Sequence, residues 1–171
     1  PLFGAFLFHG AYHVPLYSFT CTGVFTNLTP TDAYRGAGRP EATYAIERAM
    51  DALAVAVGLG PDEIRSRNFI PADKFPYDTA AGLTFDSGDY QPALDRAKEL
   101  IDWDGRRDEQ AARRSEGSTV HLGLGISSYV EMCGLAPSRV LASLNYSAGG
   151  WESATVRILP TCKVQVVTGS T

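Results

Sequence analysis

The chain has 171 residues, 44% of them hydrophobic, which is enough for one sizeable core. Its 15 basic and 19 acidic residues give a formal net charge of −4. The basic residues are scattered instead of gathered along one face, so the electrostatic footprint of a nucleic-acid binder is absent.

In chain order, YSFTCTGVFTN (17–27) alternates and is rich in Thr, Phe, Val and Tyr, which predicts a strand. LTPTDAYRGAGR follows with Pro30, Asp32, Gly36 and Gly38 and reads as a loop. Pro40 suits a first helical turn, where its missing N–H costs nothing. Beyond it Ala45, Ile46, Ala49, Met50, Leu53, Ala56 and Val57 recur at spacings of three and four, with Glu47, Arg48 and Asp51 mostly on the other side. That pattern predicts an amphipathic helix ended by Gly58 and Gly60, and GPDEIRSRN then predicts a short helix with Pro61 at its start.

FIPADKFPYDTAAGLTFDSGDY, dense in Pro, Gly and Asp, reads as a surface excursion with a small hairpin around Ala81 and Gly82. Leu94, Ala97, Lys98 and Ile101 predict another helix, and DGRRDEQAARRSEG a charged, solvated one. After Gly117 four short runs, STVHLGLGISSYVEMCG, SRVLASLNY, WESATVRILP and KVQVVTGST, are rich in β-branched residues and predict an antiparallel meander. Helices followed by strands make the expected class α+β, with residues 1–116 holding the loop and helices and 117–171 starting a β-rich part.

Cys21, Cys133 and Cys162 lie far apart, and no pair has zinc-site or redox spacing, so they read as free thiols of a cytoplasmic chain. No run reaches the ~18 apolar residues of a membrane span, and the first residues lack the basic region of a signal peptide. The sequence does not begin with Met, and its last residues follow directly on a strand pattern. An internal fragment of a longer protein is the expectation.

The chemistry concentrates at AYRGAGRPEA. A Gly-x-Gly turn opening onto a helix can present unpaired backbone N–H groups to an anion, and the helix dipole favours negative charge there. Arg35 and Arg39 on either side would add charge-assisted hydrogen bonds to a phosphate, an oxo group or a carboxylate. Equally, the glycines can supply only permissive backbone angles while the arginines pair with acids such as Asp32 or Glu41. Spacing alone favours that structural reading. His9, His13 and His121 have no carboxylate or nucleophile tied to them by spacing and read as structural. Trp103 and Trp151 read as core or interface residues. Glu131 stays unassigned, and Cys162, in a Thr161-Cys162 turn where glycine would fit better, is a local departure.

TNLTPTDAYRGAGRPEATYAIERAMDALA resembles the active-site loop and following helix of the molybdenum-binding large subunit in the xanthine dehydrogenase and aldehyde oxidase family. It is most similar to the carbon monoxide dehydrogenase-like branch. GLGPDEIRSRNFI, GLTFDSGDY, GLGISSYVEMCG and ESATVRILPTCKVQVVTGST agree in order and spacing, so the resemblance covers nearly the whole chain.

The resemblance implies a molybdopterin cytosine dinucleotide cofactor, [2Fe-2S] and FAD on an iron-sulfur small subunit and an FAD medium subunit, and a dimer of heterotrimers. It makes Arg35 the cofactor-side arginine, with Gly36 and Ala37 lining the substrate side. Carbon monoxide dehydrogenases that use copper carry a cysteine at the Gly36 position, and Gly36 has no sulfur to offer. Purine hydroxylases carry a phenylalanine at the Ala37 position, so Ala37 removes an aromatic wall. The implied reaction is hydroxylation of an aldehyde or N-heterocyclic carbon with water-derived oxygen, and the implied base is a glutamate beyond Thr171. The competing expectation is a non-catalytic α+β binding or assembly module in which both arginines are structural.

Overall fold

A computed structural model describes residues 2–30, 34–132 and 153–169. Two units divide the chain, Pro1–Glu131 and Met132–Thr171. The first holds helices α1 (Leu2–Ala5), α2 (Arg39–Val57), α3 (Pro61–Asn68), α4 (Gln91–Ile101) and α5 (Trp103–Ser115), with a short antiparallel hairpin of β1 (Tyr77–Asp78) and β2 (Thr84–Phe85) between α3 and α4 in sequence. In the second, β3 (Ala154–Ile158) and β4 (Val164–Thr168) form an antiparallel pair with Val156 opposite Val166. The class is α+β.

Helix boundaries follow the local chemistry. α2, α3 and α4 each carry proline in their first turn, where no intrahelical N–H is lost. α2 ends at a left-handed Gly58, whose N–H returns to the carbonyls of the last turn. The core of this unit gathers Ala11, Tyr12, Met50, Ala54, Ile64, Phe69 and Leu94. Each of its larger apolar side chains contributes roughly 1.5–3 kcal/mol by leaving water. Residues 11–13 run antiparallel to 68–70, with Tyr12 bridged to Phe69, Ile70 N–H donating to Ala11 O at 3.0 Å and His13 N–H to Asn68 O at 2.9 Å.

Three expectations are corrected. First, residues 17–27 form no strand and join no ladder among the described residues, and Val24 and Phe25 stand exposed. Alternation qualifies a segment for a strand, but only a hydrogen-bonded neighbour makes one. Second, the buried stripe of α2 is Ala42, Glu47, Met50 and Ala54, with Ile46 half-buried, while Ala45, Ala49, Leu53 and Ala56 are exposed. Glu47 lies on the inner face because it is fully hydrogen-bonded there. Third, residues 118–132 form no strand; of the four predicted runs, SRVLASLNY lies outside the described residues, and the last two make the β3–β4 hairpin. The turn of that hairpin centres on Pro160 and Thr161, closed by Cys162 N–H to Leu159 O at 2.9 Å, and Cys162 follows in the left-handed region at φ 63°.

Candidate active site

The turn before α2 is built from left-handed backbone. Gly36, Ala37 and Gly38 have φ of 100°, 44° and 94°, three successive residues in a region that L side chains avoid. Two hydrogen bonds fix it: Ala37 N–H to Tyr34 O at 2.8 Å and Arg39 N–H to Gly36 O at 3.0 Å. Ala42 N–H to Gly38 O at 3.1 Å then begins the helix. The amides of Gly36 and Gly38 enter none of these bonds, and turns of this kind make anion-binding concavities at the positive end of a helix.

The two arginines divide. Arg35 is exposed and makes no hydrogen bond or ion pair among the described residues. Arg39 folds back, its Nε donating to Gly36 O at 2.7 Å and its Nη1 meeting Glu131 Oε1 at 3.1 Å. Among the described residues the acid that meets Arg39 is Glu131, and nothing in the spacing of the loop points to a residue so far along the chain; Asp32 lies outside the described residues. From behind, α1 presses on the turn: a Cβ on Gly4 would lie 2.6 Å from Gly38 O, so this approach needs glycine at position 4. Gly36 is closed in the same way, since a Cβ there would meet Pro40 Cγ at 2.6 Å and Cδ at 2.7 Å.

Between α2 and α3 lies a buried polar network that pattern reading missed. Arg65 is 0% exposed and uses all three nitrogens: Nε to Glu47 Oε2 at 2.9 Å, Nη1 to Pro61 O at 2.7 Å, and Nη2 to Asp51 Oδ1 at 3.0 Å. Nη2 also donates to Ile126 O at 3.0 Å, and Ser128 N–H donates to Glu47 Oε2 at 2.9 Å. Tyr12 Oη completes the set by donating to Glu47 Oε1 at 2.5 Å. Burial, reinforced by that carboxylate, pushes the Tyr12 phenol well above its ordinary range, so it stays a donor. The available signal was Glu47's position, three before Met50 and seven before Ala54 on one helix face.

The histidines stay outside this constellation. His9 is buried, its Nδ1 donating to Gly10 O at 3.0 Å and its Nε2 without a partner among the described residues. Burial lowers its pKa below the ordinary value, which keeps the ring neutral and Nε2 bare. His13 Nδ1 lies 2.8 Å from Tyr77 Oη, and His121 is exposed. Trp103 is a core residue at 3% exposure, and Trp151 lies outside the described residues. Cys21 and Cys162 are free and exposed. Cys133 lies outside the described residues.

Two families of molybdopterin cofactor-binding domain match the chain, one over residues 1–69, which contains the turn and all of α2, and one over residues 96–171. The carbon monoxide dehydrogenase large chain of Hydrogenophaga pseudoflava is 40% identical over 165 residues, 93% of this chain. The chain belongs to the molybdenum hydroxylase family. This molybdenum hydroxylase chain spans 20% of the length of that relative. Its fold is similar to quinoline 2-oxidoreductase from Pseudomonas putida 86, with a TM-score of 0.84 and 36% identity over 98% of this chain and 21% of that one. A Cu,Mo-CO dehydrogenase in its carbon monoxide reduced state follows at a TM-score of 0.68 and 36% identity, over 81% of this chain and 18% of that one.

The chemistry of the turn fits a molybdopterin cofactor. Its groups are all donors: an uncommitted guanidinium, two amides outside the local bonds, and the start of a 19-residue helix. Such a set receives anionic oxygens. The turn does not fit a copper ligand, because Gly36 carries no side chain and the Pro40 ring fills the space one would need.

Proposed function

We propose that this chain supplies the cofactor-side loop, with its supporting scaffold, of the catalytic large subunit in a molybdopterin-dependent oxidoreductase. The reaction is hydroxylation of an aldehyde or an N-heterocyclic carbon with water-derived oxygen. The observation that carries the proposal is Arg35, exposed and unpaired among the described residues on a strained turn at the start of α2, inside the stretch matched by a molybdopterin cofactor-binding domain.

When bound, the molybdenum cofactor, taken here in its cytosine dinucleotide form, supplies oxygen transfer and receives the electrons. Arg35 binds and orients anionic oxygen on the cofactor side, aided by the open amides of Gly36 and Gly38. Gly36 and Ala37 leave room on the substrate side and provide no aromatic face. A flat substrate therefore has to be held by other parts of the pocket. Arg39 takes the structural role, and the site works without copper. Electrons leave through an iron-sulfur small subunit and an FAD medium subunit, in a cytoplasmic dimer of heterotrimers. No helix among the described residues is long and apolar enough to cross a membrane.

A turnover screen of the intact complex tests this, using an artificial electron acceptor and comparing carbon monoxide, aldehydes and N-heterocycles in wild type and Arg35→Ala. Aldehydes or N-heterocycles should be oxidised and carbon monoxide should not. Arg35→Ala should lose roughly 100-fold or more in kcat/KM, the scale for removing a preorganised charge-stabilising donor. Its unfolding should stay within about 0.5 kcal/mol of wild type, since an exposed, unpaired side chain is removed. Oxidation of carbon monoxide alone, or full turnover by Arg35→Ala, contradicts the proposal.

A further inference from the structure

We infer that Glu131 is a positioning residue for the Tyr34–Arg39 turn and acts through Arg39. The two ends of the Arg39 guanidinium do different things. Nε donates to Gly36 O at 2.7 Å, reinforcing the bond that Arg39 N–H already makes to the same oxygen at 3.0 Å. Nη1 reaches Glu131 Oε1 at 3.1 Å. A long side chain folded back on its own turn gives up rotamer freedom, and an anchor at its far end offsets that cost.

Glu131 can serve as the anchor because the segment before it is pinned. Ile126 O accepts from Arg65 Nη2 at 3.0 Å, and Ser128 N–H donates to Glu47 Oε2 at 2.9 Å. Both partners are buried, Arg65 at 0% and Glu47 at 5% exposure, and they belong to α3 and α2. A continuous path runs from the buried pair to 126–128, to Glu131, to Arg39, to Gly36 O. It ends on a turn whose three left-handed residues would relax if nothing held them.

The ion pair is part-exposed, with side-chain exposures of 19% for Arg39 and 42% for Glu131. Pairs of this kind contribute little to global stability, so loss of Glu131 acts locally on the turn. The functional consequence rests on reading this turn as the cofactor-side loop: a loosened turn misdirects Arg35, lowering kcat while the cofactor stays bound.

The test is amide hydrogen exchange on the full-length holoenzyme in wild type, Glu131→Ala, Arg39→Ala and the double variant, with kcat, KM and molybdenum content on the same samples. In Glu131→Ala the peptide 34–42, which holds the Ala37 and Arg39 amides, should exchange roughly two- to fivefold faster, the size expected for losing one part-exposed ion pair. Peptides at the other end of α2 and the unfolding temperature should not change. In the Arg39→Ala background, Glu131→Ala should add nothing. Unchanged exchange in Glu131→Ala, or an equal increment in both backgrounds, overturns the inference. Faster exchange with kcat and KM unchanged upholds the positioning role and counts instead against the cofactor-side reading of the turn.

Discussion

Gly36 holds the turn at φ 100° and faces the Pro40 ring, so two independent features exclude a side chain at this position. Gly36→Ala should destabilise the protein by roughly 1–3 kcal/mol, read as a lowered unfolding temperature of the intact complex. Pro40→Ala in that background should restore part of the loss by removing the clash, while the backbone strain remains. An unchanged unfolding temperature in Gly36→Ala would show that the turn is softer than described.

Much of this was legible from AYRGAGR: the loop, the helix start, and the absence of sulfur at Gly36 and of an aromatic ring at Ala37. Two features were not. The division of labour between Arg35 and Arg39 depends on a carboxylate distant in sequence, and the pressure of Gly4 on Gly38 is a backbone approach that leaves no pattern.

At the scale of elements, α2 and α3 are joined by a buried ion pair as well as by apolar packing. Arg65 and Glu47 satisfy each other, Tyr12 and the 126–128 segment, so removing one member strands the rest. Arg65→Ala should cost about 3–5 kcal/mol in chemical denaturation, because it leaves the Glu47 carboxylate buried without its countercharge. The double variant Arg65→Met with Glu47→Met should recover much of that cost, since well-packed apolar replacements relieve the desolvation. A loss below about 1 kcal/mol in Arg65→Ala would mean that water replaces the guanidinium without penalty.

Helix ends were readable because proline and glycine act locally, through a missing N–H and a permitted left-handed backbone. The inner face of α2 was misread because periodicity assigns charge to solvent, and Glu47 overrides that rule by having every oxygen paired. The strand expected at 17–27 failed for a related reason: local alternation carries no information about which neighbour completes the ladder.

For the whole molecule, the sequence motifs, the matched cofactor-binding domains and the donor-rich turn agree on one family, although the chain spans only 20% of the length of its carbon monoxide dehydrogenase relative. The likeness to a Cu,Mo enzyme raises the question of copper, and Gly36, with no side chain and the Pro40 ring beside it, offers no ligand for it. Metal analysis of the purified intact complex tests the account most directly. Molybdenum stoichiometric with the large subunit and no copper is the predicted result; absence of molybdenum from an active complex, or copper stoichiometric with it, would contradict the account.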